Sequence, residues 1–518
     1  MSPLHFFLLA ALGALSHANA QNWPQASGPT RNWILEEAPP TPSKWSVVRE
    51  ENLIWRTTMP EGGQSAVTVW GKHAFVTSYR PLEEGDSLKQ PNLVGYCLEA
   101  STGTILWQVD LPGTDPVETA GIFSDATVFA PVTDGEHVWF FNRCGSVGCF
   151  DFTGQRIWLR EYRPRPRHTN RQCEPILVDG LLLTVEVRDK AAGQQLKRHK
   201  PVPKGIEERD VWTYLHAHDA RTGELRWVAE DATVVHSTPV VGRRRDGSWA
   251  VLHGRGGAHA PLEKPYGITM TDVATGKTLW SHELAPGGDC VFSAHWNERE
   301  CYWFHKEDHL VLDTETGEIL RTQNLMQSVD FTRFDPATKA WTTKKNIAVK
   351  TGKRHANTNQ SNLVVGDWHY FLAHDVAALG RVHLVTGITE YLQLPVQKIA
   401  GASTSADQLI WDRANAIPSD VENSRGIKLS SDKRAAGPGF GHVSAASPIA
   451  VNGLLYVPIM NGTVFVIDAA AERLDDSALV AVNDLGPSGA TWSLASLTAS
   501  EGRLFAHTLK EILCLGER

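Results

Sequence analysis

Short apolar segments separated by turn residues recur along almost the whole chain. Asp-Gly, Gly-Asp or Asn-Gly stands between two apolar runs in segments 130–141 (APVTDGEHVWFF), 174–187 (EPILVDGLLLTVEV), 361–373 (SNLVVGDWHYFLA) and 447–459 (SPIAVNGLLYVPI). Two apolar runs joined by such a dipeptide are typical of a β-hairpin with a tight turn. The pattern therefore predicts pairs of antiparallel strands, repeated many times.

A second pattern, built around a Thr-Gly pair, follows these hairpins. It reads LEASTGTILW at 98–107, FDFTGQRIW at 150–158, HDARTGELRW at 218–227 and TDVATGKTLW at 271–280, with degenerate copies at 312–321 and 383–391. Trp stands four positions after the Gly in the first four copies, and Arg321 and Tyr391 replace it in the other two. The Gly supplies the positive φ of a tight turn, and the Trp on the outgoing strand can cover the edge of a neighbouring unit.

Together the two patterns predict a repeated unit of four antiparallel strands, A to D. The units begin near Ser65, Ala130, Glu174, Thr238, Ser293, Ser361, Ser447 and Ser496. The eighth unit contains strands A to C only, and segment 51–60 (ENLIWRTTMP) has the pattern of the missing D strand, with Trp55 at the Trp position. We therefore predict an all-β, eight-bladed β-propeller whose last blade is completed by the N-terminal strand, which removes open sheet edges. An open array of hairpins is the alternative. Such an array would not need the missing D strand of the last unit to be supplied by the first segment of the chain.

The A-x-D-x-x-T-G-x-x-x-W pattern resembles the tryptophan-docking repeat of the pyrroloquinoline-quinone-like propeller superfamily. That superfamily includes the quinone-dependent alcohol dehydrogenases and the propeller lipoprotein of outer-membrane assembly. Segment 22–33 (NWPQASGPTRNW) is similar to the Trp-Pro-Gln opening of exported members. The resemblance covers nearly the whole mature chain and implies the fold, but it does not choose a function, because one fold hosts many activities.

The N-terminus has the features of an export signal. The apolar run from Phe6 to Leu15 is too short to span a bilayer and is followed by the small residues Ala18 and Ala20. No Cys follows directly, so a lipid anchor is not expected, and no other run approaches transmembrane length. The sequence predicts a periplasmic or secreted protein with a signal peptide at 1–20 and one propeller domain at 21–518, which contains an N-terminal segment at 21–50 and the closing strand at 51–60.

Composition narrows the function classes. The chain has 518 residues, 42% of them hydrophobic, and a formal net charge of −8, which argues against nucleic acid as a partner. Of the seven Cys, Cys144 and Cys149 lie close together, but their spacing is not that of a zinc site. We expect most of the Cys side chains to be buried in strands. Disulfide pairing and oligomeric state stay open.

Propeller topology predicts which face carries the function. The A–B and C–D turns share one face, and the B–C and D–A connections share the other. All the Thr-Gly turns are C–D turns. The long irregular segments are the B–C connections of blades 1, 3 and 4 and the D–A connections before blades 6 and 7, so all of them belong to the opposite face. Insertions on one face usually build a binding or catalytic surface, and we therefore expect the site at the channel mouth on that face.

Segment 251–267 (VLHGRGGAHAPLEKPYG) is the richest of these in His, Arg and Gly. His suits proton transfer or metal binding, Arg binds anionic groups through paired donors, and Gly256 and Gly257 would allow close approach of a ligand. The candidate catalytic residues are His236, His253, Arg255 and His259. The candidate ligand-binding residues are Asp125, Arg143, His168, Asn170, Arg171, Gln172, Tyr266, His355, Asn359 and His442.

The interpretation that we favour is an exported propeller that binds, and as a lyase or hydrolase would also process, an anionic carbohydrate-like ligand. Between Phe331 and His355 there are seven Lys or Arg and one acidic residue, which favours an anionic partner. The alternative is a non-catalytic periplasmic scaffold with a protein partner. The sequence does not decide whether a reaction occurs.

A quinone-dependent dehydrogenase is the third alternative. The resemblance implies that such an enzyme carries adjacent cysteines and a Glu/Asn/Asp calcium set, and this sequence has no Cys-Cys pair and no recognisable calcium set. A quinone cofactor is therefore not expected. A divalent metal held by His253 and His259 together with a His of another blade stays open.

Overall fold

The computed structural model describes residues 22–115, 127–162, 174–187, 204–205, 207–233, 238–256, 264–285, 294–349, 362–373, 376–402, 405–422, 426, 428 and 446–517. Within them, eight antiparallel sheets with strands A to D form a ring, so the predicted eight-bladed propeller is confirmed. The helices of this part of the chain are short 3-10 turns, Glu208–Val211, Arg413–Asn415 and Asp476–Ala478. None of the described helices is long and apolar enough to cross a bilayer.

Blades 1 to 8 follow one another along the chain, and each has one strand of each type. From blade 1 to blade 8, strands A are Thr68–Trp70, Val132–Thr133, Ile176–Val178, Val240–Arg243, His295–Trp296, Asn362–Val365, Ile449–Val451 and Thr498–Ser500. Strands B are His73–Tyr79, His137–Asn142, Leu181–Val187, Trp249–Arg255, Glu300–His305, Trp368–Ala373, Leu454–Pro458 and Arg503–His507. Strands C are Leu93–Glu99, Ser146–Asp151, Thr213–Asp219, Gly267–Asp272, Asp308–Asp313, Ala378–His383, Thr463–Asp468 and Glu511–Leu515. Strands D are Ile105–Leu111, Arg156–Glu161, Leu225–Thr233, Thr278–Glu283, Ile319–Asn324, Thr389–Gln393, Leu479–Asp484 and Leu53–Thr58.

The ring is closed by the two ends of the propeller, as the sequence predicted. Leu53–Thr58 pairs with Glu511–Leu515 in antiparallel register and becomes strand D of blade 8. Trp55, opposite Cys514, occupies the Trp position of the repeat. The described chain therefore leaves no gap between its first and last blades.

Neighbouring blades are joined by the repeated Trp. The indole N–H donates to a backbone carbonyl beside the Thr-Gly turn of the next blade, at 2.7–3.1 Å, in the pairs Trp55–Ala100, Trp107–Phe152, Trp158–Ala220, Trp227–Val273 and Trp280–Thr314. The indole ring also lies against the turn Gly, since a Cβ on Gly276 would come within 2.6 Å of the Trp227 ring. The turn therefore requires Gly both for its positive φ and for close packing. Arg321 replaces Trp in blade 5 and donates to the equivalent carbonyl of Leu384 at 3.1 Å.

A β-bulge precedes the Trp position in seven of the eight D strands. In blade 1, for example, Trp107 pairs with Cys97 and Ile105 with Leu98, so that Leu106 is the extra residue. A bulge bends and twists an outer strand, which makes it a poor template for another strand. The bulge therefore aims the Trp at the next blade and also protects the outer edge.

Blade 6 is the exception. Its strand D pairs with strand C without a register shift. Its outer edge is covered by Val329–Asp335, which pairs with it in parallel, and Ala340–Ile347 then pairs antiparallel with Val329–Asp335. We call these two strands the edge hairpin; they extend blade 6 to six strands. Two further small additions are the parallel strand Ile34–Leu35 beside strand A of blade 7 and the pair Gln397–Ile399 with Gln408–Ile410.

The core is divided among the blades and between neighbouring blades. Strands B and C supply most of it and are almost fully buried, whereas most D strands are partly exposed; that of blade 1 alternates between half-buried and exposed positions. The five described Cys, which are Cys97, Cys144, Cys149, Cys301 and Cys514, are buried and form no disulfide with one another. Each blade thus packs on its two neighbours. The central channel, which the A strands line, is the part of the molecule that all blades border.

Candidate functional site

One face of the channel is closed by the N-terminal segment Asn22–Leu35, which we call the floor segment. Trp23 pairs with Val69 of blade 1 through two backbone hydrogen bonds of 2.8 and 2.9 Å. The carbonyl of Pro24 accepts from the N–H of Thr133 in blade 2 at 2.9 Å. The start of the floor segment is therefore held by backbone hydrogen bonds to the A strands of blades 1 and 2.

The floor segment then crosses the ring. The Gln25 side chain accepts from the N–H of Leu177 in blade 3 at 3.1 Å, and the Trp33 ring lies 5.8 Å from that of His295 in blade 5. The carbonyl of Trp33 accepts from the N–H of Ala450 in blade 7 at 3.0 Å. These partners stand near the A–B turns, on the same face as the Thr-Gly turns, so the floor segment lies on the face opposite the predicted mouth.

A small polar cavity lies above the floor segment, at the beginnings of the A strands. Its lining includes Ala26 and Trp33 from the floor and Gln64, Glu174, Thr238, Ser447 and Ser496 from the blades. Gln64 is buried, and its Nε2 has no hydrogen-bond partner in the described part of the chain. The cavity therefore offers an amide donor to whatever occupies it.

Glu174 is the one acidic group of this lining. Its carboxylate accepts from the N–H of Ala130 at 2.8 Å. Burial raises the pKa of the Glu174 carboxyl to about 8, and the Ala130 hydrogen bond only partly offsets the effect. At neutral pH the group is therefore mostly protonated and can donate a hydrogen bond.

His253 and Arg255 lie in strand B of blade 4, two residues apart and on the same side of the sheet. His253 is 1% exposed, and its Nε2 lies 2.9 Å from the Thr271 hydroxyl. Burial, with a smaller contribution from the charge of Arg255, lowers the pKa of His253 to about 3. Arg255 is 2% exposed and is paired with Asp231, with Nη1 to Oδ2 at 3.0 Å. The structure therefore places Arg255 inside strand B, where the sequence had suggested a loop.

Tyr266 and Arg143 are the other described candidates. Tyr266 is half-buried, and a Cβ on Gly256 would lie 2.1 Å from its ring, so the close approach at this glycine is to Tyr266. Arg143 is buried at the B–C turn of blade 2, two blades away from Arg255. His253, Arg255 and Tyr266 are thus brought together in one blade, and Arg143 belongs to another.

The remaining candidates lie outside the described residues. They are His236, His259, Asp125, His168, Asn170, Arg171, Gln172, His355, Asn359 and His442. Their assignment to the mouth therefore stays a prediction. The basic stretch from Phe331 to His355 is described as far as Val349, and residues 331–347 of it belong to the edge hairpin on the outer rim.

Sequence reasoning missed Glu174 and Gln64. In the sequence Glu174 marks only the start of blade 3, and Gln64 stands directly before the start of blade 1. A signal was present for Glu174, because it precedes a Pro and the apolar residues of a strand A at the position where blades 4 and 7 carry Thr238 and Ser447. Sequence reasoning also assigned no role to Arg160, whose guanidinium makes two contacts of 2.5 and 3.0 Å with the buried carboxylate of Glu186 across blades 2 and 3. Burial by itself would raise the pKa of Glu186, but the charge of Arg160 holds that pKa well below its usual range.

Comparisons with known proteins agree with the fold. The family model that is described as outer membrane protein assembly factor BamB matches residues 49–197. No curated protein matches the sequence.

Solved structures resemble the chain over most of its length. A europium-containing methanol dehydrogenase is 13% identical with a TM-score of 0.51, over 94% of this chain and 89% of that one. The quinohemoprotein alcohol dehydrogenase from Comamonas testosteroni is 13% identical with a TM-score of 0.51, over 98% of this chain and 82% of that one. BamB from Moraxella catarrhalis is 14% identical with a TM-score of 0.37, over 78% of this chain and 98% of that one. At 13% identity the likeness to the two dehydrogenases shows the fold alone.

Proposed function

We propose that this protein, a β-propeller whose repeats are similar to those of the pyrroloquinoline-quinone-like superfamily, is exported and binds an anionic, carbohydrate-like ligand at the mouth of its channel. The observation that carries the proposal is the charge of the connecting segments. Residues 163–173, between strand D of blade 2 and strand A of blade 3, contain four Arg and no acidic residue. Residues 188–203, between strands B and C of blade 3, contain five Lys or Arg and one Asp. The chain as a whole has a net charge of −8, so this positive charge is concentrated.

The structure of the channel supports approach of the ligand from the mouth. The floor segment occupies the opposite face, so a ligand reaches the cavity from the mouth. At neutral pH the mostly protonated carboxyl of Glu174 does not repel an anion, and it can donate to a sugar hydroxyl or carboxylate. Gln64 Nε2 supplies a second donor at the same depth.

The described residues favour binding over turnover. A base or acid in a lyase-like or hydrolase-like reaction must reach the substrate, and the neutral ring of His253 is buried against Thr271. Arg255 is likewise buried in a pair with Asp231. His236 and His259 are the residues that we propose for proton transfer if a reaction occurs.

Calorimetric titration with a uronic-acid oligosaccharide and with a neutral oligosaccharide of the same length tests the proposal. We expect the acidic sugar alone to bind, and Arg171→Gln to weaken its binding about tenfold or more, the effect of one charge-assisted contact. Arg221→Gln is the matched control, because Arg221 is an exposed Arg of the same blade at the Thr-Gly turn. Equal binding of the two sugars, or equal affinities for the two variants, would refute an anion site at the mouth.

A protein-binding scaffold is the second candidate. It is favoured by the match of residues 49–197 to a family model described as an assembly factor. This candidate predicts that neither sugar binds and that a cross-linker attached near Arg171 captures one defined exported protein. A cross-linker attached near Arg221 should then capture none.

A further inference from the structure

The edge hairpin leaves one strand of blade 6 open to a partner. We propose that Ala340–Ile347 is a docking site for an extended, acidic segment of another protein, which pairs with it as a seventh strand of the blade. This site lies on the outer rim and is independent of the ligand proposed at the mouth.

Ala340–Ile347 is the end strand of its sheet. Within the described part of the chain it pairs only with Val329–Asp335, so the hydrogen-bonding groups of its other side face outward. The open strand has a bulge at Lys345 and Asn346, where Asn346 has a φ of +51°. From Ala340 to Lys344 its register is regular and it contains no Pro, so this stretch can accept a partner strand.

The hairpin is held firmly against the propeller. Phe331 is 1% exposed, and its ring lies 5.5 Å from that of Tyr391 in strand D of blade 6. Near the tip, Phe334 stacks on Trp411 with centroids 4.3 Å apart, and the Trp341 ring lies 5.4 Å from that of Trp411. Because the strand is already ordered, a partner does not have to supply the free energy of folding it.

The positive charge of the edge hairpin favours an acidic partner. Lys344 and Lys345 are exposed on the open strand, and Arg333 is exposed on the strand beside it. The acidic groups of the hairpin act within it: Asp335 accepts from the turn N–H of Ala337, and Asp330 accepts from the N–H of Asn346. Lys side chains would repel each other if two copies of this strand paired. Glu or Asp side chains of a partner strand would instead face opposite charges.

Fluorescence anisotropy with a labelled, end-capped peptide of alternating Glu and Thr tests the proposal on the full protein. We expect the peptide to bind and to slow amide exchange in residues 340–344. The same peptide with N-methyl groups on alternate residues should bind at least tenfold more weakly, because it keeps the charge but cannot form a full ladder. Lys344→Glu with Lys345→Glu should also weaken binding at least tenfold.

The matched control is Lys72→Glu with Lys277→Glu, which makes the same change of net charge at exposed turns on blades 1 and 4. It should leave peptide affinity within about twofold of the parent. Equal affinity for the N-methylated peptide would mean that the rim only attracts polyanions, and it would overturn the proposal. Equal weakening by the control pair, or no binding of the acidic peptide, would also overturn it.

Discussion

His309 Nε2 lies 3.0 Å from His369 Nδ1, and both rings are buried between blades 5 and 6. His369 Nε2 lies 3.0 Å from the side-chain oxygen of Asn362, which can only accept. His369 therefore carries its proton on Nε2, and its Nδ1 accepts the proton of His309. A further proton on His369 would go to Nδ1 and place two donors face to face in a buried site.

This arrangement predicts that stability falls as the pH falls. Burial lowers the pKa of His309 to about 3 and that of His295 to about 4. An unfolded His binds a proton below about pH 6.5, whereas these folded rings do not, so acid favours the unfolded state. Each ring should contribute about 1.4 kcal/mol of destabilisation per pH unit between about pH 6.5 and its folded pKa. Urea unfolding at about pH 7 and about pH 5 measures the slope.

The variant His309→Gln checks the assignment. It should be less stable than the parent at neutral pH, because a buried hydrogen bond is disturbed, and its stability should depend less on pH. Parallel pH profiles for the parent and the variant would show that His309 does not contribute to the acid sensitivity.

The stability contributed by packing of the Trp ring on the turn Gly can be measured separately from that of the Gly backbone conformation. Gly276 and Gly180 both have φ of +73°, but a Cβ on Gly276 would meet the Trp227 ring at 2.6 Å, and one on Gly180 would meet no atom within 4 Å. Gly180→Ala should cost about 1 kcal/mol for the backbone alone, and Gly276→Ala about 1–3 kcal/mol more for overpacking. Chemical denaturation of both variants provides the difference, and equal losses would mean that close packing under the Trp is unimportant.

The floor segment should stabilise the whole ring. The Trp23 side chain is fully buried, so Trp23→Ala should cost about 3–5 kcal/mol even though the two backbone hydrogen bonds to blade 1 are kept. Trp411→Ala removes the same atoms from a half-buried position on the outer rim and should cost less. Thermal and urea unfolding of the two variants tests the ranking, and a reversed order would contradict a structural role for the floor.

Arg255→Ala should destabilise the fold. Its guanidinium is 2% exposed and is paired with Asp231, whose side chain is 30% exposed. Loss of Arg255 leaves a partly buried carboxylate without this partner, at a cost of about 1–3 kcal/mol. The double variant Arg255→Ala with Asp231→Ala should recover part of that loss. An unchanged unfolding free energy for Arg255→Ala would indicate that the pair is not important for stability.

Local repetition explains why the architecture could be predicted. The Thr-Gly turn and the Trp after it are short-range signals, and their recurrence revealed the blades and the closing strand with Trp55. The floor segment could not be predicted in the same way, because Trp23 and Gln25 bind blades that are distant in sequence and show no period. The edge hairpin has strand-like alternation, but its parallel pairing with Thr389–Gln393 is non-local.

The candidate site was harder to predict for a related reason. Sequence spacing placed Arg255 just past the end of a strand, and an error of one residue separates an exposed loop from a buried ion pair. The role of Glu174 depends on burial, which the local sequence does not reveal. The charge of 163–173 and 188–203 is visible in the sequence, and both segments lie outside the described residues, so their place at the mouth stays a prediction.

The closing pair of Leu53–Thr58 with Glu511–Leu515 also sets an order of events in synthesis. The ring cannot shut until the last strand has been made, so the earliest propeller strand waits without its partner while the intervening blades form. A pairing of this sequence separation folds slowly and leaves an edge exposed in the meantime. A chain that terminates early would keep that edge permanently, and it should be recognised by proteases and chaperones as an incomplete product.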